Sequence, residues 1–156
     1  MKRTIEPASM LTITTDEGAG TAVWLFTGVE NSDTDYERYV VSLGELKRMA
    51  QQLGHGAGLL VAERGNPPPN ARWRQQIAEA SKAYPPNCAF ALVSESVLVR
   101  GVLTAINWLR PPTYDVIAVA TVDEALAWVV ARRGEASRDG LRACLERARR
   151  EAGRAA

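Results

Sequence analysis

An α/β fold built on a mixed, mostly parallel five-stranded sheet is predicted by three observations. Short β-rich apolar runs alternate with segments whose apolar residues recur every three or four positions. Gly and Pro punctuate the joins between them. The first two β-rich runs are joined by a short Gly-containing link instead of a helix, which makes them an N-terminal hairpin. The order reads β-β-α-β-α-β-α-β-α, followed by one extra basic helix at the C-terminus. Strands that alternate with helices imply parallel crossovers, and the hairpin adds one antiparallel pair. Four helices flank the sheet in this reading.

Each element follows from its residues. In 9–17, Leu11 and Ile13 alternate with Thr12 and Thr14, the period of a half-buried strand. Gly18-Ala19-Gly20 is a turn, and 21–28 (Thr-Ala-Val-Trp-Leu-Phe-Thr-Gly) is the second strand. In that strand Trp24 shares a face with Ala22 and Phe26, opposite Val23 and Leu25. Ser32 with Asp35 three residues on has the spacing of a capping box. Tyr36, Tyr39, Val40, Leu43, Leu46, Ala50 and Leu53 then form one helical face, and Gly54 and Gly56 end it. Gly44 inside this helix costs about 1 kcal/mol relative to Ala, which predicts close packing there. The run 58–62 (Gly-Leu-Leu-Val-Ala) suits a strand covered on both faces.

Asn70 is a good helix cap, and the preceding prolines are tolerated at a helix start because their missing N–H would be unpaired there. Trp73, Ile77, Ala80 and Tyr84 make the second helical face, ended by Pro85-Pro86. Residues 87–94 form a buried strand. A third helix spans roughly 96–109, with Val97, Leu98, Val102, Leu103, Ile106 and Leu109 apolar, and Pro111-Pro112 stops it. A fifth strand covers 115–120. Thr121 with Glu124 caps a fourth helix over 123–133, closed by Gly134. Ser137 or Asp139 starts a last helix with Leu141, Leu145, Ala148 and Ala152 as a thin apolar stripe.

Composition excludes several roles. The chain has 156 residues, 46% hydrophobic and 24% charged, which suits one globular domain and argues against wholesale disorder. A net charge of +1 removes the whole-chain electrostatic case for nucleic-acid binding. Two cysteines, Cys88 and Cys144, make neither a disulfide scaffold nor a zinc site. His55, the single histidine, sits in a Gly-rich loop and cannot complete a Ser-His-Asp triad. Catalytic residues, a metal centre and a cofactor are therefore not expected. No stretch approaches the ~20 apolar residues of a membrane span, and Glu6-Pro7 interrupt any signal-peptide core, so no stable membrane insertion and a cytoplasmic setting are expected.

The balanced charge conceals an asymmetry. Residues 132–156 carry eight arginines against four acids, a surplus of +4, which leaves −3 on residues 1–131. Three regions follow: a disordered segment over 1–8, a folded domain over 9–133, and an Arg/Ala-rich helix or tail over 134–156. Glu146 with Arg150 at i+4, and Glu135 and Asp139 with Arg138 and Arg142 at i+3, support a solvated helix. Self-association through this helix is one reading of it. Folding back onto the acidic body is another.

Three stretches carry a family resemblance: 90–94 (Phe-Ala-Leu-Val-Ser) leading into 99–108 (Val-Arg-Gly-Val-Leu-Thr-Ala-Ile-Asn-Trp), the strand 116–120, and 121–129 (Thr-Val-Asp-Glu-Ala-Leu-Ala-Trp-Val). With the element order they resemble the STAS-like (SpoIIAA-like) family of small bacterial proteins, over residues 9–131. The resemblance implies a non-enzymatic regulatory domain that works by protein–protein contact, as anti-sigma-factor antagonists do. Those proteins are switched by phosphorylation of a serine after the third strand. Here the corresponding segment, 63–70 (Glu-Arg-Gly-Asn-Pro-Pro-Pro-Asn), contains no Ser, Thr or Tyr, so the switch residue is missing. The grouping of the family with CRAL-TRIO-type lipid-transfer folds implies the alternative, a small hydrophobic ligand or lipid in a pocket between helices and sheet.

Two surfaces are candidates for binding an unidentified protein partner. One is the start of the second helix, with Arg64, Asn66, Asn70, Arg72 and Arg74; its structural reading is a stiff loop that caps a helix. The other is the corner Ser94, Ser96 and Arg100, where a strand end meets a helix start and an anion would be favoured, or where the serines simply cap the helix. The acid pairs Asp33/Asp35 and Asp123/Glu124 sit in first helical turns, where the helix dipole favours them without any metal. Trp73 and Trp128 fall on apolar helix faces and read as core.

Overall fold

The computed structural model describes residues 9–109 and 111–155; the side chains of Ile106, Trp108, Leu109 and Ala155 are not described. Segment 1–8 lies outside the described residues. The elements are β1 (Leu11–Asp16), β2 (Thr21–Phe26), α1 (Asp33–Leu53), β3 (Gly56–Ala62), α2 (Ala71–Ala80), β4 (Cys88–Val93), α3 (Val97–Leu109), β5 (Asp115–Val119), α4 (Val122–Arg133) and α5 (Glu135–Ala155). The sheet order is β1-β2-β3-β4-β5. Strands β1 and β2 pair antiparallel, and the other neighbours pair parallel. The predicted α/β class and mixed sheet are observed.

Each parallel crossover adds its strand on the same side of the one before. Right-handed crossovers that progress in one direction place their helices on one face. Helices α1, α2 and α3 accordingly share a face, toward which Trp24, Leu60, Phe90 and Val116 project from the sheet. The opposite face carries Val23, Leu25, Leu59, Val61 and Val93, and α4 and α5 cover it.

Local signals set the element ends. Ser32 and Asp35 form the predicted capping box on α1, and Gly54, with φ 80°, supplies the left-handed residue that ends it. Asp35 also accepts from Ser9 Oγ at 2.6 Å, which ties the start of β1 to α1. Asn70 caps α2 by accepting from the Trp73 N–H at 3.0 Å. The three prolines precede this cap and are not in the first helical turn, so they stiffen the approach to α2 and do not begin it. Thr121 caps α4 by accepting from the Glu124 N–H at 3.2 Å.

Two expectations are corrected. Gly44 marks no close approach: a Cβ there meets nothing within 4 Å. The glycine that does is Gly58, where a Cβ would lie 2.7 Å from both the Trp24 and Phe90 rings. The second correction concerns the basic C-terminal segment, which is no appendage. Its stripe is buried in the core through Leu141, Leu145 and Ala148, with Cys144 beside them. Thr14 Oγ1 donates to the Cys144 carbonyl at 2.7 Å, and Arg147 donates to the Thr15 carbonyl at 2.7 Å. Both bonds end on backbone carbonyls and neither involves an acidic side chain, so apolar packing and hydrogen bonds to the hairpin hold the helix in place. Within α5, Arg138 pairs with its neighbour Asp139 at 3.0 Å.

Candidate functional site: an aromatic-lined cavity under three helices

The two faces of the sheet pack differently because their side chains differ in size. Under α4 and α5, small residues such as Ala125 and Ala148 let helix and sheet approach closely. Under α1–α3, bulky flat rings project from the sheet and the helices stand off. A cavity of about 420 Å³ remains there, within the roughly 300–1,000 Å³ of small-molecule sites.

Period-two alternation aims Trp24 and Phe26 of β2, Leu60 of β3, and Phe90 and Leu92 of β4 into this space. Helix α1 contributes Tyr36, Tyr39 and Leu43; α2 contributes Arg74 and Ile77; α3 closes it with Val99, Val102 and Leu103. The rings hold each other edge to face. Trp24 meets Tyr39 at 5.4 Å and 89°, Phe90 meets Tyr84 at 4.7 Å and 79°, and Phe90 meets Tyr114 at 5.1 Å and 62°. Such pairs fix ring orientation, so the walls resist collapse into the space. Trp24 is further held by its indole N–H, which donates to Ser42 Oγ at 2.7 Å.

Most polar groups around the cavity are satisfied by the protein. The Tyr114 hydroxyl donates to the Ser81 carbonyl at 2.8 Å, the Tyr84 hydroxyl donates to the Leu43 carbonyl, and the Tyr36 hydroxyl accepts from Asn31 Nδ2 at 2.9 Å. Asn31 and Asn66 exchange side-chain hydrogen bonds at 2.7 and 3.0 Å. Burial raises the Tyr36, Tyr39, Tyr84 and Tyr114 hydroxyls above their ordinary 10.0, so all are neutral at working pH. Among the described residues that line the cavity there is no Asp, Glu, His or Cys. Its chemistry is therefore suited to enclosing an apolar molecule.

The eight residues singled out from the sequence do not form one site. Asn66 and Arg74 line the cavity. Asn70 is the α2 cap. Arg72 reaches Asp33 at 4.0 Å and stacks over the Trp73 ring at 4.9 Å, and Arg64 is exposed on the turn after β3. At the other corner, Ser94 Oγ accepts from the Ser96 N–H, Ser96 Oγ accepts from the Val99 N–H, and the Arg100 guanidinium donates to the Ser94 carbonyl at 2.7 Å. These groups cap α3. The sequence reading did not gather Tyr36, Tyr39, Phe90 and Tyr114 into one place. Their signal was parity: Trp24, Phe26 and Phe90 occupy even positions of paired strands and so face the same side.

Elsewhere, a groove of about 560 Å³ lies between β1 and α1, but Glu37, Arg38 and Glu45 line it and it is shallow. Among the described residues no cluster of three or more His, Cys, Asp or Glu side chains is placed to hold a metal ion. No described helix is long and apolar enough to cross a membrane.

Burial also sets an alkaline limit. It pushes the Cys88 thiol from 9.0 up to about 11, against the lowering effect of Arg133. A group with a raised folded pKa stabilises the fold fully below its unfolded value, and that contribution is lost as pH rises through the folded one. Stability is expected to hold to about pH 9 and fall above it, as Cys88 and then the four tyrosines ionise. Urea midpoints across an alkaline pH series check this; a midpoint that stays flat or rises above that pH contradicts it.

Fold and site together define an α/β sandwich with an apolar chamber beneath its three crossover helices. No family model, curated protein or solved structure matches the chain.

Proposed function

We propose that this chain is a non-catalytic binding module that holds a small, largely apolar molecule in the cavity between the sheet and α1–α3. The observation that carries the reading is the cavity itself, about 420 Å³ with aromatic and aliphatic walls. The absence of acid, imidazole or thiol among its described lining residues supports binding over proton transfer. The element order and segment 121–129 support a place beside the STAS-like family, and with it a cytoplasmic bacterial setting.

Native mass spectrometry of protein prepared without detergent is expected to show a stoichiometric small-molecule adduct. Val102→Trp, which fills the cavity from α3, is expected to lose the adduct and keep a cooperative melt. A bare wild-type chain that also fails to bind anilinonaphthalene sulfonate sinks the reading.

A second reading, docking of a protein partner, is favoured by one observation. Val97 and Leu98, in the first turn of α3 beside the Ser94–Arg100 corner, are 75% and 69% exposed. Exposed neighbouring apolar side chains of this kind mark contact surfaces. The start of α2, where Arg64, Arg72 and Asn70 are exposed, would complete that surface.

A further inference from the structure

The charge of the cavity wall points to the chemistry of the occupant. Two cations line the cavity, Arg74 and Lys82, and no carboxylate does so among the described residues. Lys82 is already held by Glu79 at 2.8 Å. Arg74 is half-buried, and its side chain donates from Nη1 to the Pro69 carbonyl at 3.0 Å. No described carboxylate pairs with it. A guanidinium has five N–H donors in a planar fork, so most of those on Arg74 are left for another acceptor. In apolar surroundings that acceptor is best an oxyanion, because it neutralises the guanidinium charge and its paired oxygens match the planar fork.

A second observation is independent of Arg74. Tyr39 is only 9% exposed and lines the same cavity. Its hydroxyl has no hydrogen-bond partner among the described residues, whereas Tyr36, Tyr84 and Tyr114 each have one. Among the described residues the only fully buried side-chain N or O atom without a partner is Arg133 Nε, so the Tyr39 hydroxyl keeps access to the cavity space and is free to bond a polar group of an occupant. Between the polar points the surface is apolar, with Trp24 and Phe90 stacked at 6.3 Å over the backbone of Gly58.

Resting on the cavity reading, we infer that the occupant is an amphipathic oxyanion: a carboxylate or phosphate head at Arg74 and an apolar body over Trp24, Leu60 and Phe90. Trp24, one of four tryptophans, lies on the cavity floor, so intrinsic-fluorescence titrations with dodecanoate, dodecyl phosphate and dodecanol, each below its aggregation concentration, test this. Wild type is expected to bind one or both anions at least tenfold tighter than dodecanol. Arg74→Gln is expected to weaken the anions roughly ten- to hundredfold and to leave dodecanol unchanged. Arg74→Lys is expected to restore part of the preference, which a merely structural role for Arg74 would not produce. The tighter of the two anions identifies the head. Equal binding of dodecanol and both anions overturns the inference and leaves the cavity reading standing. Failure of all three to bind the folded wild type overturns both.

Discussion

Truncation after Gly134 is expected to abolish cooperative folding. The removed helix α5 buries Leu141, Cys144, Leu145 and Ala148 against the sheet. Each leucine contributes about 1.5–3 kcal/mol by burial. Removal also uncovers Val23, Leu25 and Leu59, which are at most 1% exposed in the intact fold. The hairpin loses the bonds to the Cys144 carbonyl and from Arg147 as well. Together these losses match the whole stability of an ordinary domain, about 5–15 kcal/mol. Leu141→Ala is the graded version and is expected to cost about 2–5 kcal/mol. Arg149→Ala, on the exposed side of α5, is expected to stay within about 0.5 kcal/mol. Circular dichroism melts decide the matter: a truncated chain that melts cooperatively near the full-length temperature refutes it.

Trp24→Ala is expected to destabilise the fold by about 3–5 kcal/mol. Trp24 is 1% exposed in the centre of β2, packed edge-on to Tyr39 and stacked on Phe90. The substitution removes the floor of the cavity and its indole bond to Ser42. Trp24→Phe keeps the ring and loses the bond, so it is expected to cost less than the alanine variant. Denaturant unfolding gives both values, and equal losses for the two variants would mean that the bond, and not the packing, dominates.

Both predictions mark how far the sequence could be read. Strand alternation, caps and breakers are local, so the five strands and five helices were legible with ends displaced by a few residues. The Ser32–Asp35 box, the Asn70 cap and the split of Trp24 from Val23 were read in full, because each depends on residues a few positions apart. Gly44 and Gly58 show the limit. Both are glycines inside regular elements, and only the neighbours brought in from β2 and β4 distinguish the open one from the crowded one. Asn66 and Arg74 stood out in the sequence only as part of a partner-binding surface, and the walls of the cavity were illegible. Tyr36, Tyr39, Phe90 and Tyr114 are dispersed over 79 positions and gather only once α1, β4 and β5 occupy one face.

Alone, then, the sequence determined the class of fold, the order of its elements and a composition with one histidine and two cysteines, since periodicity and composition are properties of the chain itself. Tertiary structure alone decided two things. It placed the charged C-terminal helix in the core, because a stripe of four small or aliphatic residues suffices when a whole sheet face needs cover. It also left a chamber on the aromatic face, because rigid rings packed edge to face cannot fill the space between a sheet and three helices.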